Sequence, residues 1–209
     1  KKRKLVILSG TIDQEISLCE ISSIDKNIAL NISRLLRSGG LDNYRKFLNC
    51  LNYLVVDEKL IPDDFLNITF YADPYLYDWK NESGEKIGII SYKSLFLANE
   101  IEVNEKLNLQ LRKCGLSPKT FFISTLKDHI IQKKLIEIFK KEDIKLIITT
   151  TSFSSSQIKN NDLIENSTNI FTSLKIPILQ LLSSNRSRKK WLNSSIGMNS
   201  SDLLMQIII

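Results

Sequence analysis

The 209-residue chain is poor in the residue types that build several classes of site, with one histidine and three cysteines. A single histidine, His129, offers no histidine pair for a metal ion. An odd cysteine count without a CxxC pair argues against a disulfide framework or a cysteine-built zinc site, and indicates a reducing, cytoplasmic environment. No apolar run approaches the roughly 18 to 20 residues of a bilayer span, and no signal-peptide layout opens the chain, so we expect no membrane association.

Motifs that cradle phosphates or present a nucleophile are also missing. The chain has no G-x-G-x-x-G, no G-x-x-x-x-G-K-[ST] and no G-x-S-x-G segment. We therefore expect neither dinucleotide binding nor ATP hydrolysis within this chain, and any ATPase would be a separate polypeptide. The pair Asp63 and Asp64 is more typical of a turn than of catalytic carboxylates.

The composition is that of a globular chain with a sizeable core, because 43% of the residues are hydrophobic and 25% are charged. The net charge is +6, and much of the excess lies in two short runs at 1–4 and 186–190. No aromatic stripe or helix-turn-helix pattern accompanies this charge. It suits acidic small ligands at least as well as nucleic acid, and we expect no nucleic-acid partner.

The ends of the chain suggest that it is part of a longer polypeptide. The sequence begins at Lys1 without a methionine and stops at Ile209 inside an apolar run. We expect an N-terminal α/β subdomain over 1–80 and a parallel α/β subdomain over 85–209, the latter truncated at its C-terminal end.

The first half combines a few apolar runs with helical stripes. From these we predict a buried strand at Leu5–Leu8, a helix over 25–38 that Gly39 and Gly40 end, a helix capped by Asp42, and an irregular aromatic segment at 71–79.

The second half alternates regularly between strands and helices. Helices are expected over 100–113 and after the N-cap Asp128, between strands at 86–92, 120–124, 145–149 and 176–181. Strands separated by single helices indicate Rossmann-like βαβ units, so the predicted fold class is α/β with a parallel sheet.

In such a sheet the carboxyl ends of all parallel strands share one edge, where ligands commonly bind. The segments that follow the four predicted strands are rich in hydroxyl groups, and three carry a cation. Ammonium and guanidinium groups pair with ligand carboxylates, hydroxyls donate hydrogen bonds, and an aromatic ring offers a flat apolar surface. The candidate substrate-binding residues are Lys93, Lys127 and Arg186 as cations, Ser124, Thr151 and Ser184 as donors, and Tyr92 and Phe153 as rings. Serine and threonine also cap helices and turns, an equally ordinary role for any one of them.

Several motifs follow one another in the order seen in a known family. They are Gly115-Leu116-Ser117-Pro118, Phe122-Ile123-Ser124-Thr125-Leu126-Lys127-Asp128, Ile176-Pro177-Ile178-Leu179-Gln180 and Trp191-x-x-Ser194-x-x-Gly197-Met198-x-x-x-Asp202-Leu203-x-Met205. This order resembles the large subunits of aerobic cobaltochelatases, which are related to those of magnesium chelatases. Looser similarity extends upstream through Tyr92-Lys93-Ser94 and the Gly39-Gly40-x-x-Asn43 turn.

The resemblance implies a piece of the catalytic subunit that holds a tetrapyrrole during metal insertion. In the family, ATPase-type subunits hydrolyse ATP while Co²⁺, a substrate, enters hydrogenobyrinic acid a,c-diamide in cobalamin synthesis. Two alternatives stay open: a magnesium chelatase subunit that acts on protoporphyrin IX, and a noncatalytic α/β ligand-binding module.

Two departures from the family pattern bear on activity. Asn185 stands where the family often has glycine, and asparagine can still adopt the left-handed conformation. The chain stops at Ile209, just before an acidic Pro-Glu-x-Asp-Gly pattern of the family. We therefore expect this piece to bind no cofactor or metal by itself, to have no identifiable catalytic residue and to lack chelatase activity alone.

Overall fold

A computed structural model describes residues 3–8, 15–78, 80, 82–151, 174–182 and 187–195. The chain divides into two units, one of Lys1–Tyr71 with Phe96–Glu100 and one of Ala72–Leu95 with Ile101–Ile209. The predicted subdomain boundaries, 1–80 and 85–209, stay a prediction. No helix among the described residues is both long and apolar enough to cross a membrane.

The regular secondary structure among the described residues of the first unit is helical. Its elements are α1 (Glu15–Glu20), α2 (Lys26–Ser38), α3 (Leu41–Val56), a 3₁₀ turn (Glu58–Leu60) and α4 (Asp63–Leu66). The carboxylate of Asp25 caps α2 by accepting the Asn27 and Ile28 N–H groups at 2.8 and 3.2 Å. Apolar side chains of α2 and α3 close a core that includes Ile32, Leu35, Cys50 and Leu54.

Two expectations for this unit are wrong. Leu5–Leu8 is not a strand: the Leu5 backbone bonds to Ser23 and the Ile7 N–H donates to the Ser22 hydroxyl, so the segment pairs with a turn and not with a sheet. Leu5 is 58% exposed. Asp42 is not the N-cap of α3, which is Gly40 with a φ of +83°. A side chain at Gly40 would collide with the Tyr71 ring, and the positive φ also favours glycine there. Asp42 lies in the first turn of α3, where its negative charge interacts favourably with the helix dipole.

Among its described residues, the second unit contains a five-stranded mixed sheet in the order β1-β3-β2-β4-β5. The strands are β1 (Tyr75–Tyr77), β2 (Lys86–Tyr92), β3 (Ser117–Ile123), β4 (Leu146–Thr149) and β5 (Ile178–Gln180). All neighbours are parallel except β1, which is antiparallel to β3. Helices with both ends in the described part of the chain are α5 (Lys93–Leu97), α6 (Glu102–Lys113), α7 (His129–Lys141) and α8 (Arg188–Leu192). The predicted α/β fold with a parallel sheet is confirmed.

Helices cover both faces of this sheet, as the alternation of side chains along parallel strands requires. Leu107 and Leu111 of α6 pack against the cluster that contains Ile87, Ile89 and Ile148. The opposite face meets α7, where the buried side chains of the second cluster include Ile90, Phe121, Leu135, Phe139 and Ile147.

The aromatic segment at 71–79, expected to be irregular, contributes β1 at the sheet edge. A three-residue strand is too short to show alternation in the sequence. The Tyr77 hydroxyl donates to Glu105 Oε1 at 2.8 Å, and burial together with this bond raises the pKa of Tyr77 to about 12.

A charge network lies near the amino-terminal ends of β2 and β3. Lys119 is 1% exposed, and its ammonium group donates to the carbonyl of Lys80. Arg112 pairs through Nη1 with Asp78 at 2.9 Å and through Nε with Glu82 at 2.7 Å. Burial lowers the pKa of Lys119, and the negative charge of Glu82 partly opposes that shift.

This network predicts opposite effects for two substitutions. Lys119→Met removes a buried charge and should leave the free energy of unfolding near pH 7 unchanged or higher. Glu82→Ala should lower that free energy by about 2 kcal/mol, because the partly buried Arg112 loses one of its two carboxylate partners and the buried Lys119 loses a nearby negative charge. A lowered Lys119 pKa means that the folded chain disfavours the charged lysine, so the wild type should gain stability as the pH rises through that pKa toward the ordinary lysine value. Lys119→Met should lose that part of the gain.

Urea unfolding at neutral and alkaline pH measures these effects, with the exposed Lys113→Met as the matched control. A Glu82→Ala variant as stable as the wild type would contradict this account of the network.

Candidate functional site

Three central strands of the second unit deliver their carboxyl ends to one edge of the sheet. Tyr92, the last residue of β2, pairs with Ile123, the last of β3, and Ile90 pairs with Thr149, the last of β4. Because these strands are parallel, the segments that follow them leave at the same edge. We call this edge, formed by Ser91–Lys93, Ser124–Asp128 and Thr149–Thr151, the carboxyl rim.

The carboxyl rim brings together the five predicted site residues that lie in the described part of the chain. They are Tyr92 and Lys93 after β2, Ser124 and Lys127 after β3, and Thr151 after β4. The side chains of Ser124 and Lys127 are exposed, whereas Thr151 is only 4% exposed. The other three predicted site residues, Phe153, Ser184 and Arg186, lie outside the described residues.

The strand order places a topological switch point at this rim. From β2 the chain crosses through α6 to β3 on one side, and from β3 it crosses through α7 to β4 on the other side of β2. Connections that diverge in this way open a crevice at the carboxyl ends of the two central strands, here β2 and β4. Ser91 and Thr150 are the polar residues at that position.

Hydroxyl groups at the switch point bond to one another. Thr150 Oγ1 lies 2.9 Å from Ser91 Oγ, and Thr149 Oγ1 lies 2.8 Å from Thr151 Oγ1. The Thr150 N–H donates to the Ile90 carbonyl at 2.9 Å and extends the ladder by one residue. The hydroxyl group of the buried Thr151 is therefore engaged in a hydrogen bond within the rim.

The loop between β3 and α7 is held by hydrogen bonds from backbone N–H groups to side-chain oxygens. The Thr125 hydroxyl accepts the Lys127 N–H at 3.1 Å, and the Asp128 carboxylate accepts the Ile130 N–H at 2.8 Å as the predicted N-cap. His129 is the exposed first residue of α7.

Asp73 contacts the carboxyl rim, and the sequence did not indicate this contact. Both of its carboxylate oxygens lie close to the Ser124 nitrogen, at 3.3 and 3.2 Å, and accept its N–H. The antiparallel register explains this contact, because Tyr75 pairs with Phe122 and two further residues along each chain bring Asp73 beside Ser124. Only the Asp-Pro step before a short aromatic run was visible in the sequence.

The rim is suited to hold oxygen-rich anions and shows no metal centre. Lys93 directly follows β2 and Lys127 lies in the segment after β3, so each contributes a positively charged side chain to the rim. The dipole of α7 adds positive potential at the N-terminus of that helix. Across the described ranges, no group of three or more His, Cys, Asp or Glu side chains is placed to hold a metal ion.

The amino-acid sequence of the chain matches a known protein family. The sequence profile described as CobN/Magnesium Chelatase matches residues 33–209, most of the chain. The chain belongs to this family. The predicted resemblance is thereby confirmed.

The chain is also similar to individual proteins. The chain is 22% identical to the aerobic cobaltochelatase subunit CobN of Pseudomonas aeruginosa over 98% of its own length, and 29% identical to an uncharacterised protein of Methanocaldococcus jannaschii over 88%. The catalytic subunit of cobaltochelatase from Mycobacterium tuberculosis has the same fold, with a TM-score of 0.73 at 21% identity over 97% of this chain. The chain spans 17% of the length of each of these three proteins.

The hydroxyl contact at the switch point yields a prediction about the link between β2 and β4. Ser91→Ala and Thr150→Val should each lower the free energy of unfolding by about 1 kcal/mol, because each removes one partner of the same hydrogen bond. The double variant should cost less than the sum of the two.

Urea unfolding of the four members of this cycle measures the coupling, and the exposed Ser94→Ala serves as the control. Strictly additive losses would show that the two hydroxyls do not act as a pair.

Proposed function

We propose that the carboxyl rim of this chain binds the acidic arms of a tetrapyrrole as part of a cobaltochelatase catalytic subunit. The observation that supports the proposal is the convergence of Tyr92, Lys93, Ser124 and Lys127 on one edge of the sheet in a member of the CobN/Magnesium Chelatase family. In the full reaction, Co²⁺ enters hydrogenobyrinic acid a,c-diamide during cobalamin synthesis.

Each rim residue has a role in this proposal that follows from its chemistry. The ammonium groups of Lys93 and Lys127 pair with carboxylate arms, Ser124 donates a hydrogen bond, and the Tyr92 ring lies against the macrocycle. Thr151 supports the wall of the rim. Phe153, Ser184 and Arg186 lie outside the described residues and are further candidates by their chemistry alone, as a second ring, a donor and a cation.

The chain's part in the reaction is to hold and orient the macrocycle. Because the sequence has no phosphate-binding loop, ATP is hydrolysed by separate ATPase-type subunits, and Co²⁺ arrives as a substrate. In this proposal the groups that insert the metal belong to other parts of a full-length subunit, and we expect the isolated chain to have no chelatase activity; its span of 17% of its relatives' length supports this expectation.

Two other functions compete with this one. The family description covers magnesium chelatases as well, so protoporphyrin IX is the second candidate substrate. A noncatalytic ligand-binding module is the third, because doubly wound α/β sheets serve many binding proteins.

Absorbance titration of the 209-residue chain with hydrogenobyrinic acid a,c-diamide and with protoporphyrin IX tests the proposal. We expect the corrinoid to bind more tightly and Lys93→Met and Lys127→Met each to weaken binding about tenfold, since each removes a charge-assisted pair. Lys140→Met, at the other end of α7, is the matched control.

The titration has three decisive outcomes. Tighter binding of protoporphyrin IX would move the chain to the magnesium branch. Corrinoid binding that is indifferent to both rim lysines would remove the rim from the proposal. Binding of neither macrocycle would leave the noncatalytic module as the function.

A further inference from the structure

Asp73 contacts the proposed binding loop and the helix that follows it. Its carboxylate accepts the N–H of Ser124, the first residue after β3, through both oxygens at 3.3 and 3.2 Å. Its main-chain carbonyl accepts a hydrogen bond from Lys134 Nζ on α7 at 3.3 Å. Asp73, two residues before β1, therefore bridges the end of β3 and the helix after the loop.

The Ser124 N–H requires an acceptor that the sheet does not supply. The parallel ladder between β2 and β3 ends at the pair Tyr92 and Ile123, so Ser124 lies one residue beyond it. A carboxylate is the strongest acceptor available to a backbone N–H. Without Asp73 the loop would leave the strand with its first amide held only by water.

Asp73 completes a set of three anchors along the loop. It holds the loop at Ser124, the Thr125 hydroxyl holds the N–H of Lys127, and the Asp128 carboxylate caps α7. Side chains of Ser124 and Lys127 project from backbone that is fixed at both ends. A loop fixed before a ligand arrives loses less entropy on binding.

We propose that Asp73 is a positioning residue that holds Ser124 and Lys127 in the geometry that binds the macrocycle. The inference rests on the proposed function of the carboxyl rim. The Asp73 carboxylate would then favour the binding of an anionic ligand by fixing the loop, although its own negative charge repels that ligand.

That opposition in sign makes the proposal testable by substitution. If Asp73 acted only through its charge, its removal would strengthen binding of an anionic macrocycle. A positioning role requires the reverse for Asp73→Ala, which removes the acceptor. Asp73→Asn keeps one acceptor oxygen without the charge, and Asp73→Glu keeps the charge but displaces the acceptor by one methylene.

We expect Asp73→Ala and Asp73→Glu to weaken hydrogenobyrinic acid a,c-diamide binding about tenfold, and Asp73→Asn to bind at least as tightly as the wild type. Asp143→Asn, an exposed carboxylate after α7, is the matched control. In the unliganded chain, hydrogen exchange at the Ser124 amide should accelerate in the alanine and glutamate variants and stay slow in the asparagine variant.

The two readouts separate this inference from the function on which it rests. If the wild type binds no corrinoid, the proposed function fails, and Ser124 exchange still decides whether Asp73 holds the loop. Unchanged Ser124 exchange in both the alanine and the glutamate variants, or tighter corrinoid binding by either, would overturn the positioning role. If the alanine variant does not fold, the glutamate variant alone decides.

Discussion

The parallel backbone ladder that holds β2 between β3 and β4 is the interaction on which the rest of the second unit depends. Side chains of β2 are buried on both faces, so the strand can pair on each side only if helices cover the sheet above and below. Parallel pairing requires a crossover for each connection, and these crossovers are α6 and α7. The same geometry sends three strand ends to one edge, so the stability of the sheet and the location of the candidate site have a common origin.

Charged groups are divided between the two ends of this sheet in a way that separates stability from binding. Near the amino-terminal ends, Arg112 and Lys119 are enclosed by carboxylates and carbonyls within the unit, so their charges are compensated. At the carboxyl rim, Lys127 is exposed just before the N-terminus of α7, whose dipole is compensated in part by the Asp128 carboxylate, so the Lys127 charge is open to an incoming anion. The ion pairs of Arg112 therefore contribute to the stability of the fold, whereas the exposed Lys127 is a candidate to bind a ligand.

The sequence predicted those features that arise from local periodicity. The strand Lys86–Tyr92 has the bounds that the sequence predicts, and Asp128 caps α7 as expected, because continuous apolar runs and caps are local signals. The prediction of a strand at Leu5–Leu8 is wrong, since apolar residues alone do not show whether a sheet is present to pair with them. Asp73 was invisible for a different reason: its contact with Ser124 arises from the antiparallel register of β1, a pairing between distant segments that no local pattern encodes.

The account stands on the carboxyl rim as the surface that meets the macrocycle, and a crystal structure of the 209-residue chain with hydrogenobyrinic acid a,c-diamide tests this most directly. The account predicts electron density for the corrinoid across the ends of β2 and β4, with its carboxylate arms near Lys93 and Lys127. Density for the corrinoid near the amino-terminal ends of the strands, or on the helices of the first unit, would contradict it.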